Sequence, residues 1–237
     1  MTSRCTYYAM RAARSCNLFQ VSLRRFSFSP ALLYTSVSEN TISYQVGSAI
    51  GKLRNSFTKY VMKSLVSKNL YESCADKIPY NEFFKVCGLP DTMQSWFYIM
   101  ELHVWMVLVR LKPCGTQGKN ISYKMVEIMW EDIEQRIRLI GVTGTTDLKE
   151  SMEEFNQQFH GLIIAFDEAL LSHDTVLASA LWRNMFVEKS KSDPENIALL
   201  VEYIRKQIHH LESLDSETLL NNGEISWLPL ITPLKDF

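Results

Sequence analysis

Apolar residues recur along most of the chain at the three- and four-residue spacing that is typical of amphipathic helices. The pattern begins at about residue 50, with few prolines or glycines and no convincing alternation of polar and apolar residues. It predicts an all-α fold, in which residues 50–230 form a single helical-bundle domain of about seven or eight helices. The proline-containing segment beyond residue 220 predicts an extended C-terminal tail, anchored on the bundle by Trp227 and ending in residues 231–237.

The most apolar segment, residues 91–112, carries apolar side chains on nearly every face of a helix. Such a helix is either the centre of a bundle or a membrane span. The stretch from Trp96 to Leu111 is shorter than the roughly 20 residues that a span needs. It also contains Glu101 and His103, so the sequence predicts a central core helix.

Shorter apolar stripes predict the other helices and the loops between them. Residues 50–78 predict one or two amphipathic helices that are basic on the solvent side. Residues 113–120 contain Pro, Gly and Asn and predict a loop. Further helices are expected over residues 80–87, 120–140, 147–171, 174–186 and 194–211.

The segment that precedes Glu39 differs in composition from the rest of the chain, because it holds five arginines but no lysine and no acidic residue. This composition is typical of a mitochondrial transit peptide. The arginine pair before Phe26 predicts cleavage between Phe26 and Ser27, which makes residues 1–26 the transit peptide and residues 27–49 a flexible linker. A disordered basic tail that anchors at a membrane surface is the alternative. The arginines are Arg4, Arg11, Arg14, Arg24 and Arg25.

Composition and motifs favour a binding protein over an enzyme. The formal charge of −1 gives no sign of DNA binding, and the five cysteines lack the spacing of a disulfide framework or zinc site. No phosphate loop, dinucleotide-binding motif or nucleophile elbow occurs, and no histidine has an acidic residue three positions before it. We therefore predict no catalytic residue, no cofactor-binding residue and no metal ligand. Glu101 and His103 are two positions apart on a helix, so they point in nearly opposite directions.

Five segments resemble the ubiquinol–cytochrome c chaperone family in order and spacing, over roughly residues 50–230. The resemblance implies an all-helical assembly chaperone for ubiquinol–cytochrome c reductase, respiratory complex III. It also implies that the chain binds newly synthesised cytochrome b together with a small partner subunit, on the matrix side of the mitochondrial inner membrane. The family has no known catalytic residues. The segments are LPDTMQSWFYIMELHVWMVLVRLK, MWEDIEQR, FDEALLSHDTVLASALWRNMF, LLVEYIRKQIHHLESLD and GEISWLPL.

Two groups of residues are candidates for contacts with partners. The aromatic- and methionine-rich part of the 91–112 helix is expected to be largely buried. If one of its faces is open to solvent, that face is the first candidate for the partner interface: Phe97, Tyr98, Glu101 and Trp105. Arg205 and Lys206 lie in a basic patch near the end of the last long helix, where compensation of the helix dipole or contact with RNA, a ribosome or lipid would explain them.

Two other functions remain open from the residues alone. A metal-dependent all-helical matrix enzyme would require three or more convergent His, Asp or Glu side chains in the interior. A translation activator would contact the mitochondrial ribosome or its RNA. Any contact with the inner membrane is expected to be peripheral, since the sequence shows no membrane span.

Overall fold

The computed structural model describes residues 39–186 and 194–231, and the side chains from residue 51 onward except those of Ser56 and Lys59. This part of the chain forms eight α-helices and one short 3-10 helix, which confirms the predicted all-α fold. The predicted transit peptide and its cleavage point at Phe26 and Ser27 lie outside the described residues, as do residues 232–237. The α-helices are α1 (Glu39–Ala75), α2 (Tyr80–Cys87), α3 (Met93–Leu111), α4 (Gly115–Leu139), α5 (Thr145–Leu170), α6 (Asp174–Met185), α7 (Pro194–Ser213) and α8 (Ser216–Asn222).

The chain divides into two compact units, residues Met1–Ser48 and Ala49–Phe237. In the first unit the described residues, 39–48, are helical. The prediction of a flexible linker is therefore wrong at residues 39–49, because helix α1 begins at Glu39. No proline occurs between residues 31 and 78. Isolated glycines cost a helix only about 1 kcal/mol each, so nothing in this sequence forces the helix to break.

Helix α3 is the central helix of the bundle, as predicted. It begins after Thr92, which has an extended backbone and whose side-chain oxygen accepts a hydrogen bond from the backbone N–H of Ser95 at 3.2 Å. Helices α2, α4, α6 and α7 pack around it, and α5 contacts it through side chains. Fourteen of its nineteen residues are buried, which accounts for its apolar character on every face.

The end of α3 is tied to the end of α7 by Arg110. This arginine is only 6 % exposed. Its guanidinium donates to the carbonyl oxygens of Leu211 at 2.7 Å and Leu214 at 2.6 Å, and to the hydroxyl of Ser216 at 2.8 Å. The last carbonyls of a helix have no partner within the helix, so Arg110 supplies donors from outside and fixes the start of α8.

The predicted loop at residues 113–120 is mostly helical. A 3-10 helix, Lys112–Cys114, follows α3 directly, and α4 begins at Gly115. Gly118 lets the first turn of α4 lie close to the end of α3, because a Cβ atom there would sit 2.2 Å from the carbonyl oxygen of Leu111. The glycines that suggested a loop instead allow two helices to approach each other.

The second half of α1 is held in the bundle by contacts from other elements. Ser67 donates to the carbonyl oxygen of Ile121 in α4, and Tyr71 donates to Asp132 of the same helix at 2.6 Å. Gly223, which ends α8, lies against the backbone of α1. A Cβ atom at Gly223 would come within 2.5 Å of the carbonyl oxygen of Val66.

Residues 223–231 form the non-helical tail that the sequence predicts. Trp227 donates from its indole nitrogen to the carbonyl oxygen of Ser73 at 2.9 Å, and its ring meets that of His103 edge to face. Gln207 of α7 donates to the carbonyl oxygen of Leu228 and accepts from its N–H. The tail therefore closes the bundle over α1 and α7, with Trp227 as its anchor.

Candidate docking surface

The aromatic face of α3 is interior rather than open to solvent. Phe97, Glu101 and Trp105 are at most 1 % exposed, and Tyr98 is 8 % exposed. Phe97 packs on Phe155 with ring centroids 4.5 Å apart, and the indole nitrogen of Trp105 donates to Asp167 at 3.0 Å. The condition under which this face was a candidate for the partner interface is therefore not met, because α5 covers it.

Glu101 is buried between α3 and α5. One of its carboxyl oxygens accepts a hydrogen bond from the amide of Gln158 at 2.7 Å, and Gln158 accepts in turn from Gln94 at 2.6 Å. The other oxygen has no hydrogen-bond partner in the described structure. Burial raises the pKa of Glu101 well above its ordinary value. Burial therefore favours the protonated, neutral form of this carboxyl group.

His103 lies on the opposite side of α3 and faces α7. Its two ring nitrogens are bonded to the carbonyl oxygen of Ile99 at 2.7 Å and to the hydroxyl of Tyr203 at 2.8 Å. Burial lowers the pKa of His103 to about 4, so the ring is neutral. As predicted, Glu101 and His103 point away from each other. Within residues 39–186 and 194–231 no group of three or more His, Cys, Asp or Glu side chains is placed to hold a metal ion.

Arg205 and Lys206 have different surroundings. The guanidinium of Arg205 donates to the carbonyl oxygens of Leu170 and Ser172 at 2.9 Å each, and to Asp174 at 3.0 Å. Arg205 thus joins the end of α5 to the start of α6, a role in the fold. Lys206 forms an ion pair with Glu202 at 2.6 Å and is half exposed. Contact between Lys206 and a partner stays a prediction.

A groove of about 310 Å³ lies between α6 and α7. Ala178, Trp182 and Ile197 line it together with Ser179, Pro194 and Ala198, so its walls contain no titratable side chain. General acid–base chemistry requires such a group within hydrogen-bond reach of the substrate. The described walls of the groove therefore offer a place for an apolar side chain.

The first half of α1 carries a surface that sequence reasoning missed, because it exposes large apolar side chains to solvent. Six apolar side chains there, which we call the α1 face, are 45–70 % exposed. Three of them, Leu53, Phe57 and Tyr60, are 61–70 % exposed. Contiguous apolar exposure of this kind marks a surface for a protein or membrane partner. The α1 face consists of Leu53, Phe57, Tyr60, Val61, Met62 and Leu65.

The α1 face lies on a different side of the helix from the residues that the bundle buries further along. At 100° per residue, Leu53 and Leu70 differ by about 100° around the helix axis, and Val61 and Leu70 differ by about 180°. Leu70 is fully buried, whereas Val61 is 45 % exposed. The apolar side chains of residues 53–65 are therefore not a continuation of the buried side of residues 66–75.

The charged residues of α1 that surround the α1 face have one sign, while Glu127 of α4 lines a groove together with Tyr60 and Lys63. Between Glu39 and Glu72 the sequence contains five basic residues and no acidic residue. Of these, Lys52, Arg54 and Lys68 are exposed, and Lys68 forms an ion pair with Glu72 at 3.4 Å. The absence of acids from this stretch of sequence was the signal that could have identified the surface. The five basic residues are Lys52, Arg54, Lys59, Lys63 and Lys68.

Comparison with known proteins identifies the family. The sequence model described as "Ubiquinol-cytochrome C chaperone" matches residues 85–227. The chain is 45 % identical over 175 residues to the "Ubiquinol-cytochrome-c reductase complex assembly factor 1" of Xenopus laevis, a match that covers 74 % of this chain and 86 % of the frog protein. The chain belongs to the ubiquinol–cytochrome c chaperone family.

Other members of the ubiquinol–cytochrome c chaperone family are longer than the region they share with this chain. The match to the human assembly factor has the same identity and length but spans only 58 % of the human protein. "Protein CBP3, mitochondrial" of Saccharomyces cerevisiae is 32 % identical over 149 residues, which are 62 % of this chain and 44 % of the yeast protein. The crystal structure of the Cbp3 homolog from Brucella abortus has the same fold. Its TM-score is 0.65 at 21 % identity, over 75 % of this chain and 97 % of that one.

The family match and the α1 face occupy different parts of this chaperone-family protein. The matched residues begin at 85, after α1 has ended at Ala75. They include α3, its buried polar groups and the tail as far as Trp227. The residues matched by the family model are therefore the packed bundle, and the α1 face lies before them. The match to the relative from Drosophila melanogaster is longer, covers 81 % of this chain and so extends into α1.

Proposed function

We propose that this chain is an assembly chaperone for ubiquinol–cytochrome c reductase, respiratory complex III, in mitochondria. The observation that carries the proposal is membership of a family whose frog and human members are named as assembly factors of that complex. The yeast relative is named as mitochondrial. The arginine-rich, acid-free segment before Glu39 supports the same location, because an import signal requires positive charge.

The proposed client is newly synthesised cytochrome b, which the chain holds together with a small partner subunit on the matrix side of the inner membrane. Cytochrome b is an apolar polypeptide, so before insertion its segments need protection from water. A chaperone meets this need with an apolar surface rather than a catalytic pocket. In the described part of the chain burial disfavours the charged forms of Glu101 and His103 in α3. The described lining of the groove between α6 and α7 carries no titratable group, which suits a binding role.

The decisive experiment is affinity purification of the tagged full-length chain from mitochondria, combined with its depletion. We expect cytochrome b and a small helical partner to be recovered with it, and depletion to lower the amount of assembled complex III. Re-expression of the full chain should restore the complex. Normal complex III after complete depletion would contradict the proposal, and recovery of ribosomal RNA without cytochrome b would favour a translation activator instead.

A matched variant tests the location. Replacing the five arginines that precede Glu39 by glutamine removes the positive charge that import requires and leaves the bundle untouched. We expect this variant to stay outside mitochondria and to fail to restore complex III, while a variant with five exposed lysines of the bundle replaced by glutamine is still imported. Efficient import of the arginine-free chain would contradict a presequence in this segment. The changed positions are Arg4, Arg11, Arg14, Arg24 and Arg25.

A further inference from the structure

We propose that the α1 face and the basic residues around it form a docking surface for an anionic lipid bilayer. Helix α1 would lie in the plane of the membrane, with its exposed apolar side chains among the lipid headgroups and upper acyl chains. The binding itself is independent of the proposed function, which only identifies the bilayer as the matrix leaflet of the inner membrane. None of the helices within the described residues is long and apolar enough to cross a bilayer.

The width of the α1 face fits a bilayer better than a single partner helix. At 100° per residue the face extends about 200° around the helix axis, from Tyr60 to Met62. A seam that packs against one helix is narrower, since it uses mainly two positions in every seven residues. From Leu53 to Leu65 the face is about 18 Å long at 1.5 Å per residue. A broad face of this length suits a planar surface.

The distribution of charge selects an anionic surface. Lys52 and Lys63 lie opposite the middle of the apolar arc, whereas Arg54 and Lys68 lie within it. Basic residues on the polar side of a helix with exposed leucine and phenylalanine are typical of helices that lie in the membrane interface. The long stems of Arg54 and Lys68 can extend along apolar surface while their charges reach the phosphate groups. No acidic residue of α1 between residues 40 and 71 opposes this attraction. Glu127 of α4 lies beside Tyr60 and Lys63 but forms an ion pair with Lys124 at 3.0 Å.

RNA is the alternative occupant with the same charge. A surface for single-stranded nucleic acid places aromatic side chains where bases can stack on them. Phe57 and Tyr60 could do so, but the exposed Leu53, Met62 and Leu65 gain nothing from a base or phosphate. Transfer of these aliphatic side chains out of water into lipid is favourable. The mixture of aliphatic side chains and basic charge therefore favours the bilayer.

The test measures sedimentation of the purified full-length chain with lipid vesicles. The five arginines that precede Glu39 are replaced by glutamine throughout, so that this segment adds no charge. We expect binding to phosphatidylcholine vesicles that contain about one-fifth cardiolipin, and much weaker binding to phosphatidylcholine alone. Absence of binding to the cardiolipin vesicles would overturn the proposal.

Apolar variants locate the contact. The triple variant Leu53→Ser, Phe57→Ser, Leu65→Ser should bind cardiolipin vesicles at least about 30-fold more weakly, because each side chain loses part of its transfer free energy. The matched control is Leu139→Ser, Ile140→Ser, which removes two side chains that are 84 % and 64 % exposed at the end of α4. The control should bind like the parent chain. Equal losses in both variants would overturn the proposal, as would full binding by the triple variant.

Charge variants identify the lipid. Lys52→Gln with Arg54→Gln should weaken binding to cardiolipin vesicles about 25-fold, since each basic residue near an anionic surface contributes about fivefold. The same pair should leave the weak binding to neutral vesicles unchanged. The control, Lys77→Gln with Lys149→Gln, removes two exposed cations outside the α1 face and should change neither. Binding to RNA that competes fully with vesicles and survives the triple apolar substitution would overturn the proposal in favour of a nucleic-acid surface.

A second measurement avoids dependence on the apolar variants. Leu53→Cys, labelled with a polarity-sensitive dye after Cys5, Cys16 and Cys114 are changed to serine, reports the surroundings of the α1 face directly. We expect its emission to shift to the blue on cardiolipin vesicles, while a dye at Leu139→Cys does not shift. A shift at both positions or at neither would overturn the proposal. These assays use only protein and lipid, so their failure leaves the requirement for the chain in complex III assembly to be judged separately.

Discussion

Replacing Glu101 by glutamine tests whether the fold holds this carboxyl group neutral. Burial raises the pKa of Glu101 well above its ordinary value, and the side chain is fully buried. In the unfolded chain the pKa returns to about 4.3. Above that pH the unfolded chain loses a proton that the folded chain retains. The contribution of Glu101 to stability is therefore complete below the unfolded pKa and is lost as the pH rises towards the folded pKa.

The size of the effect follows from proton linkage. For each pH unit between the two pKa values, the free energy of unfolding of the wild-type chain falls by about 1.4 kcal/mol relative to Glu101→Gln, which has no proton to lose. The variant should therefore gain stability on the wild type as the pH rises from 5.0 towards the folded pKa of Glu101. Glutamine keeps the oxygen that accepts from Gln158, so the difference isolates the charge.

His103 changes the free energy of unfolding with pH in the opposite direction to Glu101. Its pKa is about 4 in the folded chain and about 6.5 in the unfolded chain. Its contribution is complete above pH 6.5 and is lost as the pH falls, by up to about 3.4 kcal/mol at pH 4. Above pH 4.5 the contributions of Glu101 and His103 to the pH dependence of stability therefore oppose each other in the wild type. In Glu101→Gln the dependence due to His103 should become visible, as stability that falls with acidification.

Urea denaturation at pH 5.0, 5.5, 6.0 and 6.5 measures these free energies. Glu154→Gln is the matched control, because Glu154 is an exposed glutamate of α5. Its difference from the wild type should vary little with pH. A difference between Glu101→Gln and the wild type that stays constant from pH 5.0 to pH 6.5 would refute the reasoning, since it would mean that Glu101 has the same ionisation in the folded and unfolded chains.

Three further substitutions or reactions test the packing. Arg110→Met should lower the free energy of unfolding by about 3 kcal/mol in urea denaturation, because two carbonyls at the end of α7 lose a charged hydrogen-bond donor. An unchanged denaturation midpoint would contradict the role of Arg110 in capping α7. Gly223→Ala should lower the free energy of unfolding by about 2 kcal/mol or more, since its φ of 67° and the nearby α1 backbone both oppose a Cβ atom. The control is Gly161→Ala, at a position in open space within α5. It should leave the free energy of unfolding unchanged or raise it by up to about 1 kcal/mol. Burial raises the pKa of Cys87 to about 12. Alkylation of the folded chain at pH 8, followed by mass spectrometry, should therefore modify Cys87 at least about a thousandfold more slowly than an ordinary thiol. Modification of Cys87 as rapid as that of the half-buried Cys114 would show that α2 is not packed.

The central helix could be predicted because its sequence admits only one place in the fold. A helix with apolar residues on every face and a length below that of a membrane span must be surrounded by other helices. By contrast, residues 113–120 were misassigned as a loop, because glycines such as Gly115 and Gly118 are typical of loops. Gly118 is needed for a close approach between two helices, and that requirement depends on the position of α3, which local sequence does not contain.

The partner surface was harder to locate for a related reason. The residues chosen from the sequence, Phe97, Tyr98, Glu101 and Trp105, are conspicuous because they are large or charged within an apolar helix. The structure places them inside the bundle, where Phe97 packs on Phe155 and Trp105 bonds to Asp167. Composition shows that a side chain needs partners, but it does not show whether those partners belong to the same chain.

Helix α1 illustrates this limit within a single element. Both halves are helical and both carry apolar side chains, but on different sides of the helix, since Val61 and Leu70 lie about 180° apart around its axis. In the second half, small side chains such as Ser67 and Cys74 allow α4 and the tail to approach, and Ser67 bonds directly to α4. In the first half the large Leu53 and Phe57 extend where no helix of the described bundle reaches them. A pattern of spacing predicts that both halves are helical with an apolar side, but only the positions of the neighbouring helices determine which half is covered. The feature of the sequence that separates the halves is charge, since five cations and no acid lie between Glu39 and Glu72, and a face that is both apolar and basic is suited to a surface outside the protein.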